Sequence, residues 1–293
     1  MSFENTIDLW GPVSYYRKLI GFGVGIIIIG IVCYVDDSKG GIHPLVKLAA
    51  QTAAAIVMVI SGVRIDGLDI DFINNAPWKD AFYIILTIGW IVGITNAINL
   101  IDGLDGLSTG ITIIASISLL IIFSLNGSPM IAIILITALA GALVGFLPYN
   151  FNPAKTFIGD VGSDFLGFAL AVISILGVAK TYTAIVIIAP LIVLALPVFD
   201  TLCAIVRRII KGKSLKAVIM PDRGHLHHRI LDKGYSQKQV VLILYGISAT
   251  FGMFAVILLE SGIWKALSFA LMIVVAMAIG YHSMFKLKEE EKE

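Results

Sequence analysis

Charged residues are scarce in this chain. Asp, Glu, Lys and Arg make up 14% of its 293 residues, while 58% are hydrophobic; an ordinary soluble domain has about 25% charged residues. So little charge excludes an ordinary water-facing surface. Neither sign dominates, since 21 Lys and Arg stand against 20 Asp and Glu for a net charge of +1. That removes the broad basic field on which nucleic-acid binding depends, so no nucleic-acid partner is expected. Cysteine is nearly missing. Cys33 and Cys203 lie far apart, in or at the end of apolar runs, with no CxxC or Cys/His spacing, and each reads as a small hydrophobe in a helix. A removable leader is also missing. Arg17-Lys18 before the run 19–35 has the outline of one, but the run ends in Asp36-Asp37 without a small-x-small cleavage pattern, and more apolar segments follow.

What the chain has instead is long apolar runs. A hydrocarbon core takes about 20 apolar residues per helix, and nine candidate spans fit: 19–35, 45–63, 81–98, 107–125, 130–148, 163–179, 182–199, 240–259 and 263–285. Lipid cannot satisfy free backbone groups, and no barrel-like alternation recurs, so helices are required. The expectation is an all-α polytopic membrane protein forming a single domain over 1–293. In the loop 63–80, polar and apolar residues alternate around Asp66-Gly67, which predicts a short β-hairpin on the outer surface.

The polar clusters are not scattered. Asp36-Asp37, the stretch 96–108, the stretch 150–164, the loop 200–238 and the tail 286–293 each follow an odd-numbered span. All therefore fall on one side of the bilayer, as an active site assembled from several loops requires. That side carries fifteen Lys and Arg against six on the other, which marks it as cytoplasmic. Arg17-Lys18 argues locally for the reverse.

Within those clusters the residue types suit phosphate and a hard cation. Asp36 and Asp37 are adjacent acids at a helix C-terminus, where the dipole disfavours them and where they need a cation or a proton. Asn96, Asn99, Asp102 and Asp105 recur at spacings that, on a helix, put the last three on roughly one face; Gly103 and Gly106 allow close backbone approach. The plainer reading, a polar stripe holding helices together, accounts less well for two acids and two amides at a span end. Asp160 sits between glycines ahead of a helix N-terminus, a place for phosphate with a hard cation, and Phe157 is placed to stack on a flat ring. In the loop 201–238, positive-inside topology explains Arg207 to Lys216. Arg223, His225, His227 and His228 suit phosphate or sugar oxygens, or proton transfer near neutral pH. Neighbouring Asp and Asn favour a hard cation over zinc.

These residues carry a resemblance. Asp36-Asp37, the run from Asn96 to Leu107, the run from Phe157 to Ser163 and the run from Pro221 to His228 occur in the order and spacing of the polyprenyl-phosphate N-acetylhexosamine-1-phosphate transferases (glycosyltransferase family 4). The His-Leu-His-His form is similar to the bacterial branch that uses UDP-N-acetylglucosamine, more than to the branch that transfers phospho-MurNAc-pentapeptide. The resemblance implies transfer of a HexNAc-1-phosphate from a UDP-sugar to undecaprenyl phosphate, release of UMP, and a need for magnesium or manganese. It implies Asp160 and Asn99 as metal ligands and Asp105, Asn150 and Phe157 around the uracil. It places Asp36 or Asp37 near the lipid phosphate, Arg223 and the histidines at the sugar, and Lys47 at the lipid phosphate, although a snorkelling lysine explains Lys47 equally well. Asp102 tunes the site or takes a proton. Homodimers are the family habit. Members usually have two further spans and a basic loop before the Asp-Asp pair, so reduced turnover is expected of this sequence alone. A proton-coupled transporter is the competing class, but none of Asp36, Asp102 or Asp160 lies mid-span and the broken midplane helices of transporters are not evident.

Overall fold

The computed structural model describes residues 12–66, 71–178, 184–212 and 224–272. In chain order the helices are α1 (Pro12–Lys39), α2 (Pro44–Ile60), α3 (Asp71–Asn74), α4 (Lys79–Ile101), α5 (Leu107–Leu125), α6 (Met130–Asn150), α7 (Gly159–Val178), α8 (Ala184–Val193), α9 (Ala195–Gly212), α10 (Leu226–Leu231), α11 (Gln237–Ser261) and α12 (Ile263–Met272). The local sequence accounts for their ends. Pro44 opens α2 behind His43, whose ring accepts from the Leu45 N–H; proline has no N–H to leave unpaired at that position. Ser236 and Gln239 form a reciprocal capping box at the start of α11.

Six of these helices, α1, α4, α5, α6, α7 and α11, are long and apolar enough to cross a membrane. The nine expected spans are therefore corrected among the described residues. α2 has 17 residues and falls short of that length, and α12 is shorter still; residues 273–285 of the last expected span lie outside the described residues. The expected span 182–199 is divided between α8 and α9. Pro197 has no N–H for the carbonyl of Val193 and its ring crowds that carbonyl, so the ladder breaks at Leu194. The expected hairpin is also corrected. No strand forms among the described residues, with 67–70 of the expected hairpin lying outside them; 71–74 are a helical turn, and Arg64 is drawn to Asp66 and Asp80 at 2.8 and 3.2 Å.

α5 and α7 are the most enclosed helices, and α4, α6, α1 and α11 pack around them. In lipid, apolar contact alone does not drive helices together, so close approach and polar bonds matter more. α4 meets α7 at Gly167, where a Cβ would stand 2.6 Å from Thr95 Cα and 2.9 Å from its carbonyl oxygen. Trp90 Nε1–H donates to Ser174 Oγ across the same pair at 3.0 Å.

α9 is two-sided. Leu196, Asp200 and Ala204 are buried, whereas Phe199, Leu202, Val206 and Ile210 form an exposed stripe. The buried side faces α4 and α11. This arrangement puts the ends of α1, α4 and α6 and the start of α7 together at one end of the bundle.

Candidate active site

That end holds a cavity of about 610 Å³, lined among others by Asp36, Asp37, Asp102, Asp105, Phe157 and Asp160. Its walls come from four separate chain segments, and each is shaped by short-range chemistry. Asp36 sits in the last turn of α1 with Oδ1 accepting from the Ile42 N–H at 2.5 Å, which folds the Gly40-Gly41 turn back on itself. α4 stops at Ile101, so Asn99, Asp102 and Asp105 do not continue along one helix as the spacing suggests. Asp102 is instead the C-cap, and its Oδ1 accepts from Ser108 Oγ–H at 2.6 Å across the mouth of α5. Gly103, free of a side chain, allows the chain to leave the helix axis there.

Lys47 is the central cation. Its Nζ donates to Asp160 Oδ2 at 2.7 Å and to Asp36 Oδ2 at 3.3 Å, so it joins α1, α2 and α7 instead of snorkelling. Asn99 Nδ2 donates to Asp160 Oδ1 at 3.1 Å and to Ser163 Oγ at 2.8 Å. Asp160 stands in the first turn of α7 with 41% of its side chain exposed, so it keeps an open face toward the cavity.

One turn deeper lies a second polar tier that the sequence reading passed over. Asp164 Oδ2 accepts from Gln51 Nε2 at 3.0 Å and from the Cys33 thiol at 3.1 Å, and Asn96 Nδ2 donates to Gln51 Oε1 at 2.5 Å. Asp164, Gln51 and Cys33 are fully enclosed. Asn96 therefore belongs to this tier and does not line the cavity. The spacing was there to be read, since Gln51 follows Lys47 and Asp164 follows Asp160 by four residues, one helical turn each.

Asp105 and Asn150 anchor the loop on the far wall. Asp105 Oδ2 accepts from Asn152 Nδ2 at 2.9 Å and from the Ala154 N–H at 3.1 Å. Asn150 is buried and bridges Thr109 Oγ1 and the Thr156 carbonyl. Phe157 projects with 74% exposure, a free aromatic face at the cavity rim.

The histidine segment reaches the cavity by its backing. His227 packs on Gly103 so tightly that a Cβ there would stand 2.3 Å from Nε2. His225 stacks on His227 with centroids 5.8 Å apart and planes 9° apart, and the His228 ring lies 4.2 Å from His227 at 46°. Both ring nitrogens of His227 are buried and without a partner among the described residues. His225 is held by Asp200, which the sequence reading missed because it stands alone past an apolar run. Arg223 lies outside the described residues.

Two titrations outside the spans have opposite signs. Burial pushes Asp102 up to about 6, although Ser108 opposes it. Burial, with the neighbouring His228 and His225, pushes His227 down to about 4, so its ring is neutral at pH 7. Between about 4 and 6 the folded chain binds more protons at Asp102 than the unfolded chain does, so on its account stability falls as pH rises through that window. For His227 the folded chain binds fewer protons between about 4 and 6.5, and stability rises with pH. If the Asp102 carboxylate serves turnover, the rate declines as pH drops below about 6, and Asp102→Asn removes that limb of the pH–rate profile. An unchanged limb in the variant would exclude Asp102 as its source.

The donor set suits a hard cation. It is oxygen-rich, Asp160 has an open face, and magnesium takes only one or two carboxylates alongside phosphates and water. No set of three His, Cys, Asp or Glu groups converges as a protein-only cage among the described residues.

Comparison with known proteins gives the family. The family model described as glycosyl transferase family 4 matches residues 19–178, which contain all five acids that line the cavity. A probable undecaprenyl-phosphate N-acetylglucosaminyl 1-phosphate transferase of Bacillus subtilis (strain 168) is 37% identical over 262 residues, covering 89% of this chain and 72% of that protein. A decaprenyl-phosphate N-acetylglucosaminephosphotransferase of Mycobacterium leprae (strain TN) is 36% identical over 242 residues, covering 75% of this chain and 59% of that one. A phospho-N-acetylmuramoyl-pentapeptide-transferase of Staphylococcus saprophyticus is 39% identical over 163 residues, but this match covers 54% of this chain and 50% of the relative. The chain thus spans only part of the length of each relative.

Proposed function

The chain belongs to glycosyl transferase family 4, and from that premise we propose that it transfers N-acetylglucosamine-1-phosphate from UDP-N-acetylglucosamine to undecaprenyl phosphate and releases UMP. The observation that carries this reading is a cavity lined by Asp36, Asp37, Asp102 and Asp160 at one end of a bundle of apolar helices. A lipid phosphate and a sugar diphosphate can meet there with the lipid tail against the bundle. The broad match to N-acetylglucosamine enzymes, against a partial one to the pentapeptide transferase, favours the smaller sugar.

Two anionic groups must come together, so charge control is the main task, and little covalent help is needed from the protein. Asp160 with Asn99 would hold magnesium or manganese, which when bound neutralises charge on the diphosphate. Lys47, already spanning Asp36 and Asp160, supplies a fixed positive charge for a phosphate oxygen. Asp36 and Asp37 border the place of the lipid phosphate and keep its approach narrow. Phe157 offers its face to the uracil, with Asp105 and Asn150 setting the loop beside it. The neutral His227, with His225 and His228 beside it, backs the acidic loop at Gly103 and so sets the wall that the sugar phosphate meets, and Arg223 belongs to the same segment. The cavity opens on the cytoplasmic side, as the distribution of Lys and Arg supports, and the enzyme is a homodimer of the cell membrane.

The test is UMP release from UDP-N-acetylglucosamine in detergent with undecaprenyl phosphate and magnesium, read beside calorimetric binding of the nucleotide sugar. Release and binding should both need the metal, and mass spectrometry should find undecaprenyl-diphospho-N-acetylglucosamine. Metal-independent binding, or UMP without a lipid product, would remove this reading.

A smaller prediction concerns Gly103. Gly103→Ala should displace the His227 ring, because the new methyl group overlaps it, and lower turnover by about tenfold, the scale of a disturbed supporting contact. The thermal midpoint should move little. Full turnover in this variant would mean that the ring is not held against the loop.

A further inference from the structure

His227 raises a question of support. Its ring is buried beside the acidic loop, yet neither nitrogen has a partner among the described residues to set its angle. What touches it is Gly103 below and the rings of His225 and His228 on its flanks. His225 is the only one of these with a fixed polar anchor among the described contacts. Its Nδ1 lies 2.8 Å from Asp200 Oδ2, while Asp200 Oδ1 accepts from the Leu226 N–H at 2.8 Å. Both side chains of the His225–Asp200 pair are 6% exposed, so water does not compete for the bond.

The same helix holds the segment a second time. Arg207, seven residues after Asp200 and so on the same side of α9, lies under Gly224, where a Cβ would stand 2.5 Å from Nε. Leu196 and Ala204 on that side are buried against the bundle. α9 is thus a rail to which the histidine segment is fixed at two points.

We propose that Asp200 is a positioning residue of the transferase, setting the tautomer of His225 through Nδ1 and, by way of the His225–His227 stack, the place of the His227 ring above Gly103. This rests on the reaction proposed above. An ionised carboxylate only accepts, so His225 Nδ1 must carry a proton in this bond. Burial works against the charged form of Asp200, but the bonds from His225 and the Leu226 N–H outweigh it and hold its carboxyl below the ordinary value. Asparagine in its place could offer its NH2 group to an unprotonated Nδ1, so the tautomer loses its determinant while the volume is kept.

Two measurements on the full chain in detergent test this. Side-chain nitrogen NMR of 15N-histidine-labelled protein should show His225 with its proton on Nδ1, and Asp200→Asn should shift that population toward Nε2. UMP release should fall about 10–100-fold in kcat for Asp200→Asn, the range seen when the partner orienting a functional histidine is lost, with KM for UDP-N-acetylglucosamine within about threefold. His225→Gln should produce a similar loss, and the double variant should be no worse than the weaker single, because both act through one bond. A His225 whose Nδ1 carries no proton in the unaltered chain, or additive losses in the double variant, would overturn the proposal. If Asp200→Asn does not fold, the wild-type spectrum decides by itself. Absence of turnover by the unaltered chain with every UDP-sugar would count against the reaction and leave the spectrum to decide the role of Asp200.

Discussion

Asp160→Asn should lower UMP release by about 10²–10³-fold, the scale of removing one group that stabilises charge in the transition state. The substitution keeps the shape of the side chain and removes its charge. Lys47 then retains Asp36 at 3.3 Å but loses its closer partner at 2.7 Å, and Asn99 faces an amide where it faced a carboxylate. Metal dependence separates this from a packing defect. The magnesium concentration giving half-maximal release should rise by about tenfold or more, as expected when a ligand to the ion is weakened. Asp66→Asn, at a separate ion-pair cluster beside Arg64, should leave release and its metal curve as they are. Asp160→Asn with more than a third of the original rate and the same metal curve would show that Asp160 does not hold the ion.

The largest structural effect is expected at Gly167. Gly167→Ala places a methyl group 2.6 Å from Thr95 Cα, inside the backbone of α4. Backbone cannot swing aside as a side-chain tip can, so α4 and α7 must separate. Overpacking of this kind costs about 3 kcal/mol, and the shift should bring the Trp90–Ser174 bond apart with it. Gly89→Ala is the control within the same pair, because a Cβ there meets nothing within 4 Å. Removing a mid-helix glycine should stabilise that variant by about 0.5–1 kcal/mol. Thermal unfolding in detergent should therefore place the two variants on opposite sides of the unaltered chain. Equal midpoints would mean that α4 and α7 are not in backbone contact.

How much of this was legible in the sequence depends on the range of the force concerned. Apolar length is local and additive, so the six long helices could be read directly. It could not show which runs stop short. α2 reads as a span by composition, yet its 17 residues end at Ile60. The break between α8 and α9 could be read, because Pro190 and Pro197 are in plain sight, but a run of apolar residues outweighed them in the reading. The hairpin was inferred from alternation around Asp66-Gly67, a weak signal beside the pull of Asp66 and Asp80 on Arg64. In the site, the residues grouped by motif were visible because each cluster is short and unlike its apolar surroundings. Asp200 was not, since its meaning depends on His225, 25 residues away. Cys33 was hidden for the same reason, since its thiol acquires a partner only when α1 meets α7, whereas the one-turn spacing of Gln51 and Asp164 from Lys47 and Asp160 could have been read.

That buried tier has a mechanical consequence. A helix in lipid can slide or turn past its neighbour at little cost when the contact is purely apolar. Gln51, Asn96, Cys33 and Asp164 remove this freedom, since a slip of one residue on any of α1, α2, α4 or α7 would strand several polar atoms in hydrocarbon at once. The acids at the mouth can therefore repel one another, and exchange charged substrates and products, without loosening the helices that carry them. The register is kept by atoms that never meet the reactants.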